Sequence, residues 1–296
     1  VSLEQAEPVR QALWARRKMP EPPLEARREG FEAQMSAVPL PAGFSAQTVS
    51  INDNVSGLLC SVESVDKSRV LIWLHGGAFV LGSANSYRPM AARLARAANA
   101  QVLLVDYRLA PEHPFPAAPE DAAAALDWAV REGFHPQATF VGGDSAGANL
   151  ALGAVQAATA RVESSPVGGV WMISPYLDLT HSGASIEQRA ARDPFIDPAG
   201  MGDTARRYLG SITPADPRAS PLFGSFANFP PTIIQTGGDE VLFSDAARAR
   251  DAIEAEGVRC VFQEWAGMIH VWPLFAHQID EGAWAIEQGG AFLRTL

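Results

Sequence analysis

The chain has 296 residues, 47% hydrophobic and 19% charged, with a net charge of −10 and a pI near 5.1. This composition suits a globular protein with a large buried core. Its acidity disfavours nucleic acid and anionic membrane surfaces as partners, and no apolar run reaches the ~18 residues of a membrane span.

The first 40 residues carry two helix-like stretches, interrupted by Pro20, Pro22 and Pro23; in the second, Leu24, Phe31 and Met35 share one face at helical spacing. The short basic run Arg16-Arg17-Lys18 reads as a solvated helix face. Strand-like runs follow at residues 47–51, 57–62, 70–74, 102–106, 139–141, 169–173, 232–235 and 258–264. Helix-like runs cover 87–98, 119–131, 146–160, 244–256 and 282–293. Alternation of the two predicts an α/β fold with a mostly parallel central sheet and helices on both faces. The first two strand runs have no helix between them, so an antiparallel start is expected. Cys60 and Cys260 lie in strand-like runs without metal or redox spacing, which predicts buried free thiols. The start shows no signal-peptide pattern, and a cytoplasmic location is the expectation.

Residues 176–214 break the alternation. Asp193-Pro194 and Asp197-Pro198 mark turns, and 201–209 reads as a helix. An insertion between a strand and the next helix emerges at the sheet edge where α/β folds place their ligand sites. The expected division is a helical cap from residues 1–40 and 178–214, over an α/β core from 41–177 and 215–296.

Chemistry concentrates at Gly143-Asp144-Ser145-Ala146-Gly147, a G-x-S-x-G pattern between a strand-like and a helix-like run. A serine on that sharp turn presents its hydroxyl at the sheet edge, beside the N–H groups that open the next helix. A serine hydroxyl is a weak nucleophile and needs a base, and the base needs a carboxylate to orient it. His181, His270 and His277 are the histidines after Ser145. His270 lies in a loop just beyond a strand and is the expected base. For the acid, Asp239 follows the strand at 232–235 and is expected, with Glu240 and Asp245 as rivals; Asp245 also suits the start of the next helix. His75-Gly76-Gly77-Ala78-Phe79 follows another strand, and its small residues let backbone N–H groups converge on a developing oxyanion. Gly77 and Ala78 are the foremost donors, Gly76 comes next, and Ala146 supplies the donor after the nucleophile. Asp144 is expected to order its loop, and Tyr107, Arg108 and Glu112 to brace the oxyanion loop.

These motifs, together with Tyr107-Arg108-Leu109-Ala110-Pro111-Glu112, Asp216-Pro217-Arg218-Ala219-Ser220-Pro221-Leu222 and Gly267-Met268-Ile269-His270, resemble the bacterial hormone-sensitive lipase family of esterases over essentially the whole chain. The resemblance implies an α/β-hydrolase fold with a helical cap, hydrolysis of short- to medium-chain carboxylic esters, no cofactor and no metal. It also implies, from many members, a homodimer formed through a sheet edge. One departure is Ala78, where the family usually has a third glycine; its methyl narrows the space beside the carbonyl. Candidate pocket residues are Phe79, Phe195, Met201, Tyr208 and Ile269, with Trp14 and Met19 as further apolar candidates. A lactone hydrolase or an amide-cleaving deacetylase uses the same parts. A non-catalytic small-molecule receptor keeps the scaffold but usually loses the histidine, and a metal-dependent hydrolase needs a ligand spacing absent from this chain.

Overall fold

A computed structural model describes residues 3–161 and 165–296. In chain order its elements are α1 (Leu3–Arg17), α2 (Leu24–Ser36), β1 (Ser45–Ser50), β2 (Ser56–Ser61), β3 (Val70–Leu74), α3 (Arg88–Ala98), β4 (Gln101–Val105), α4 (Ala117–Arg131), β5 (Thr139–Asp144), α5 (Ala146–Thr159), β6 (Gly169–Ile173), α6 (Ser185–Gln188), α7 (Pro198–Leu209), β7 (Thr232–Gly237), α8 (Phe243–Ala255), β8 (Cys260–Trp265) and α9 (Asp280–Arg294).

The strands form one sheet in the order β1-β2-β4-β3-β5-β6-β7-β8. β1 and β2 are antiparallel to each other, β2 is antiparallel to β4, and all later pairings are parallel. The eight strands fall where the sequence placed them, including the antiparallel start. Central parallel strands are covered on both faces, so they read as continuous apolar runs. Val70-Leu71-Ile72-Trp73-Leu74 in β3 is buried throughout. The strand period of two then divides the core. Ile72 and Leu74 pack on the side of α4, α5 and α8, whereas Leu71 and Trp73 pack on the side of α3 and α9. β5 runs three residues beyond the expected 139–141. Gly142, Gly143 and Asp144 continue the ladder opposite Trp171, Met172 and Ile173, because glycine lets neighbouring strands and their tryptophans close in.

This strand order makes a switch point. From β3 the chain crosses to β4 on one side and then to β5 on the other, so the C-terminal ends of β3 and β5 lie side by side, with Leu74 opposite Gly143. Open α/β sheets form their ligand crevice at such a point. The stretch 178–214 carries α6 and α7 and no strand. α7 buries Met201, Ala205, Tyr208 and Leu209 against the first side of the core, while α1 buries Ala6 and Val9 against the second. Arginines tie the two stretches together: Arg17 donates to the Asp193 carbonyl at 2.7 Å and Arg10 to the Arg192 carbonyl at 3.2 Å. Neither Cys60 nor Cys260 forms a disulfide; Cys60 is buried as expected whereas Cys260 is half-buried, and burial pushes both thiols up to about 12. No helix among the described residues is long and apolar enough to cross a membrane.

Candidate active site

Ser145 sits between the last residue of β5 and the first of α5, with φ 52° and ψ −119°. That strained turn exists because β5, the turn and α5 press against the end of β3. A Cβ on Gly147 would lie 1.9 Å from the Leu74 carbonyl oxygen, and one on Gly143 would lie 2.4 Å from Gly147. The conformation is held by the Ser145 N–H, which donates to Ile173 O at 2.9 Å. From here Ser145 Oγ reaches His270 Nε2 at 2.9 Å. His270 Nδ1 in turn reaches Glu240 Oε2 at 2.7 Å. With Nδ1–H donated to the carboxylate, Nε2 is the acceptor for the serine proton. All three side chains are buried.

The carboxylate that meets His270 is therefore Glu240 and not Asp239. Glu240 Oε1 accepts from Thr236 Oγ1 at 2.6 Å, from Ser174 Oγ at 3.0 Å and from the Gly237 N–H, which leaves Oε2 for the histidine. Asp239 is held elsewhere: its backbone N–H donates to Met268 O, and its carboxylate meets Arg10 at 2.9 Å and Arg192 at 3.7 Å. The other rival, Asp245, accepts the Leu177 and Asp178 N–H groups at 2.7 and 2.9 Å and so anchors the chain beyond β6. Burial pushes its carboxyl up to about 7. His181 bonds Tyr176 Oη at 2.6 Å and His277 bonds Gln278, so neither faces the serine. Ser174 was not singled out from sequence. It donates to Glu240 and accepts the Val271 N–H at 3.0 Å, joining the acid to the histidine loop. Its signal was faint, a serine one residue past a strand end.

The loop after β3 is braced from below. The His75 ring stacks on Tyr107 at 4.2 Å, and Tyr107 Oη donates to His75 O at 2.8 Å. The Gly76 N–H donates to Tyr87 Oη at 3.1 Å, which removes it as a donor to substrate. Tyr87 Oη donates onward to Asp144 Oδ2 at 2.7 Å, and Trp73 Nε1 donates to Asp144 Oδ1 at 3.2 Å. Asp144 thus orders the loop as expected, and burial raises its carboxyl to about 6. Arg108 turns away to Asp121 of α4, while Glu112 acts through Arg28, whose Nε donates to Val80 O at 2.8 Å. Gly77 (φ 120°) and Ala78 (φ 56°) follow in left-handed conformations. Their N–H groups take no acceptor among the described residues. Ala146 opens α5, where an N–H has no intrahelical acceptor.

The expected pocket residues divide. Phe79 stacks on Tyr208 at 3.7 Å and lies 6.2 Å from Tyr176, and Met201 is buried in the same layer. Phe195 packs edge-on against His270, centroids 5.4 Å apart. Ile269 is fully buried among Trp272, Ile173 and Met268, the layer on the far side of the sheet from Phe79. Met19 is exposed, and Trp14 lies under the Arg17 guanidinium at 5.1 Å. Among the described residues, no three His, Cys, Asp or Glu side chains come together as a metal site.

Three comparisons bear on this geometry. The family described as alpha/beta hydrolase fold matches residues 71–274. An acetyl-hydrolase of Streptomyces hygroscopicus is 40% identical over 276 residues, 92% of this chain and 90% of that one. An esterase of Acinetobacter venetianus is 34% identical over 233 residues, 77% of this chain and 76% of its own. Among solved structures, an esterase from the bacterial hormone-sensitive lipase family superposes with a TM-score of 0.93 at 34% identity, covering 99% of this chain and 98% of that one. The family match over residues 71–274 and a fold shared over nearly the full length at 34% identity place the chain in the α/β-hydrolase fold family and, within it, in the bacterial hormone-sensitive lipase family.

Proposed function

We propose that the protein hydrolyses carboxylic esters of short to medium acyl length through Ser145, His270 and Glu240. The observation that carries this reading is the continuous chain from Ser145 Oγ to His270 Nε2 at 2.9 Å and from Nδ1 to Glu240 at 2.7 Å. Ser145 Oγ attacks the ester carbonyl while His270 Nε2 takes its proton, and Glu240 stabilises the imidazolium that forms. The N–H groups of Gly77, Ala78 and Ala146 receive the oxyanion, each such donor contributing about 3 kcal/mol in the transition state. Nε2 returns the proton to the departing alcohol. His270 then deprotonates a water that attacks the acyl-enzyme, and the proton passes back to Ser145.

Residues 1–40 and 178–214 act as the cap over this site, a role supported by α1 and the 189–197 segment sharing the Arg10 and Arg17 contacts. The Phe79–Tyr208 stack and the similarity to a protein named an acetyl-hydrolase support a reading of small acyl groups. No cofactor enters this chemistry. The unpaired cysteines fit a reducing, cytoplasmic compartment. The outer strands β1 and β8 each offer an edge for a homodimer.

The test is turnover of p-nitrophenyl esters from acetate to decanoate, with simple lactones alongside, by wild type and Ser145→Ala. The reading expects the highest rates on the shorter esters and a loss of at least about 10⁴-fold in Ser145→Ala. Near wild-type turnover in that variant overturns it, and lactone opening that outpaces every ester moves the assignment to a lactone hydrolase.

A further inference from the structure

Asp193 is a fully buried carboxylate in the insertion, outside the three residues of the proposed triad. One oxygen, Oδ1, accepts the Phe195 N–H at 2.8 Å and the Ile196 N–H at 3.1 Å. This turn fixes the Phe195 ring edge-on against His270. The other oxygen, Oδ2, crosses to the acid loop and accepts the Val241 N–H at 2.9 Å. Val241 directly follows Glu240. A single side chain thus holds the aromatic wall of the base and the backbone of the acid in one frame. Its own backbone is fixed as well: Asp193 N–H donates to Arg189 O at 3.0 Å, and Asp193 O accepts from Arg17 of α1. A buried carboxylate is costly unless its oxygens are satisfied, and these three N–H groups satisfy it.

We propose that Asp193 is a positioning residue for ester hydrolysis, coupling the insertion to the Glu240 loop and fixing Phe195 against His270. This rests on the triad reading above. Apart from His270 and Glu240, the charged groups around it are Asp239 on the acid loop, Arg189 and Arg192 on its own segment, and Arg10 and Arg17 on α1. Burial raises its carboxyl, and a charged His270 acts in the opposite sense.

Asp193→Asn separates positioning from folding. The amide oxygen can still serve the Phe195 and Ile196 N–H groups, but its NH₂ meets the Val241 N–H donor to donor. The expected result is a kcat about tenfold lower with KM within about threefold, because the lost contact orients the reacting groups and not the ground-state ester. Asp178→Asn is the control: a buried carboxylate of the same insertion, bonded to Thr180, Ser182 and Arg248. It should lower the melting temperature and leave kcat and KM in place. An equal loss of kcat in both variants, or no loss in Asp193→Asn, overturns the proposal. If Asp193→Asn does not fold, Phe195→Leu replaces it; a severalfold lower kcat supports the proposal and an unchanged kcat overturns it. Glu240→Gln run in parallel keeps the two readings apart: if it retains full activity, the triad reading falls first.

Discussion

Asp239 and Glu240 are adjacent carboxylates just past β7 with different fates. Asp239 ends on Arg10 at 2.9 Å, and Glu240 ends on His270 at 2.7 Å. Glu240→Gln should reduce kcat on p-nitrophenyl butyrate on the order of 10³-fold, because the amide no longer fixes the imidazole tautomer or stabilises its cation. Asp239→Asn should stay within about tenfold, and the reverse ranking in steady-state kinetics would return the role to Asp239. Ala78 poses a second question at this scale. Its φ of 56° is a conformation that costs an L-residue about 1–2 kcal/mol. Ala78→Gly should relieve that strain and open space beside the carbonyl. Its kcat/KM on esters with branched acyl groups should rise relative to acetate, which a competition assay can read; an unchanged ratio would show that the methyl does not limit the site.

The elements that carry these residues were largely legible in the sequence. Eight runs of strand length, the later ones apolar and set apart by helical periodicity, gave each strand its place, and Ser145 and His270 followed from their positions past strand ends. The choice between Asp239 and Glu240 was not legible, because adjacent side chains in a turn diverge and the turn after Gly237 decides which faces the histidine. What turns Asp239 outward is Arg10, 229 residues earlier in sequence, and nothing local marks that partner. Gly76 failed as a donor for a similar reason: Tyr87, eleven residues on, takes its N–H. Arg10 also donates to Gly267 O at 3.2 Å, so α1 is pinned to the acid and histidine loops together. Arg10→Ala should loosen α1. Limited proteolysis should then cut the Pro-rich segment between α1 and α2 several times faster than in wild type, and an unchanged rate would show that Ala6 and Val9 alone hold the helix.

At the scale of the whole molecule, the switch point at β3, from which the chain crosses to β4 on one side and to β5 on the other, brings the loop after β3 and the Ser145 turn together, and the ends of β7 and β8 bring Glu240 and His270 to them. This frame tolerates buried carboxylates that carry a pH signature. Burial raises Asp144 to about 6 and Asp245 to about 7, above the ordinary carboxylate value near 4. Between those values the native state binds more protons than the unfolded chain, so these two groups lower stability as pH rises from about 4 to about 7. Urea unfolding across that range should show a shallower fall with pH in Asp144→Asn and Asp245→Asn than in wild type, and parallel curves would contradict the assignment. The central claim, that Ser145 is the acyl-accepting nucleophile, is tested most directly by covalent labelling. Treating the protein with diethyl p-nitrophenyl phosphate and mapping the adduct by peptide mass spectrometry should give one diethylphosphoryl group on Ser145, with activity lost in proportion. An adduct on another residue, or full labelling with activity intact, would contradict it.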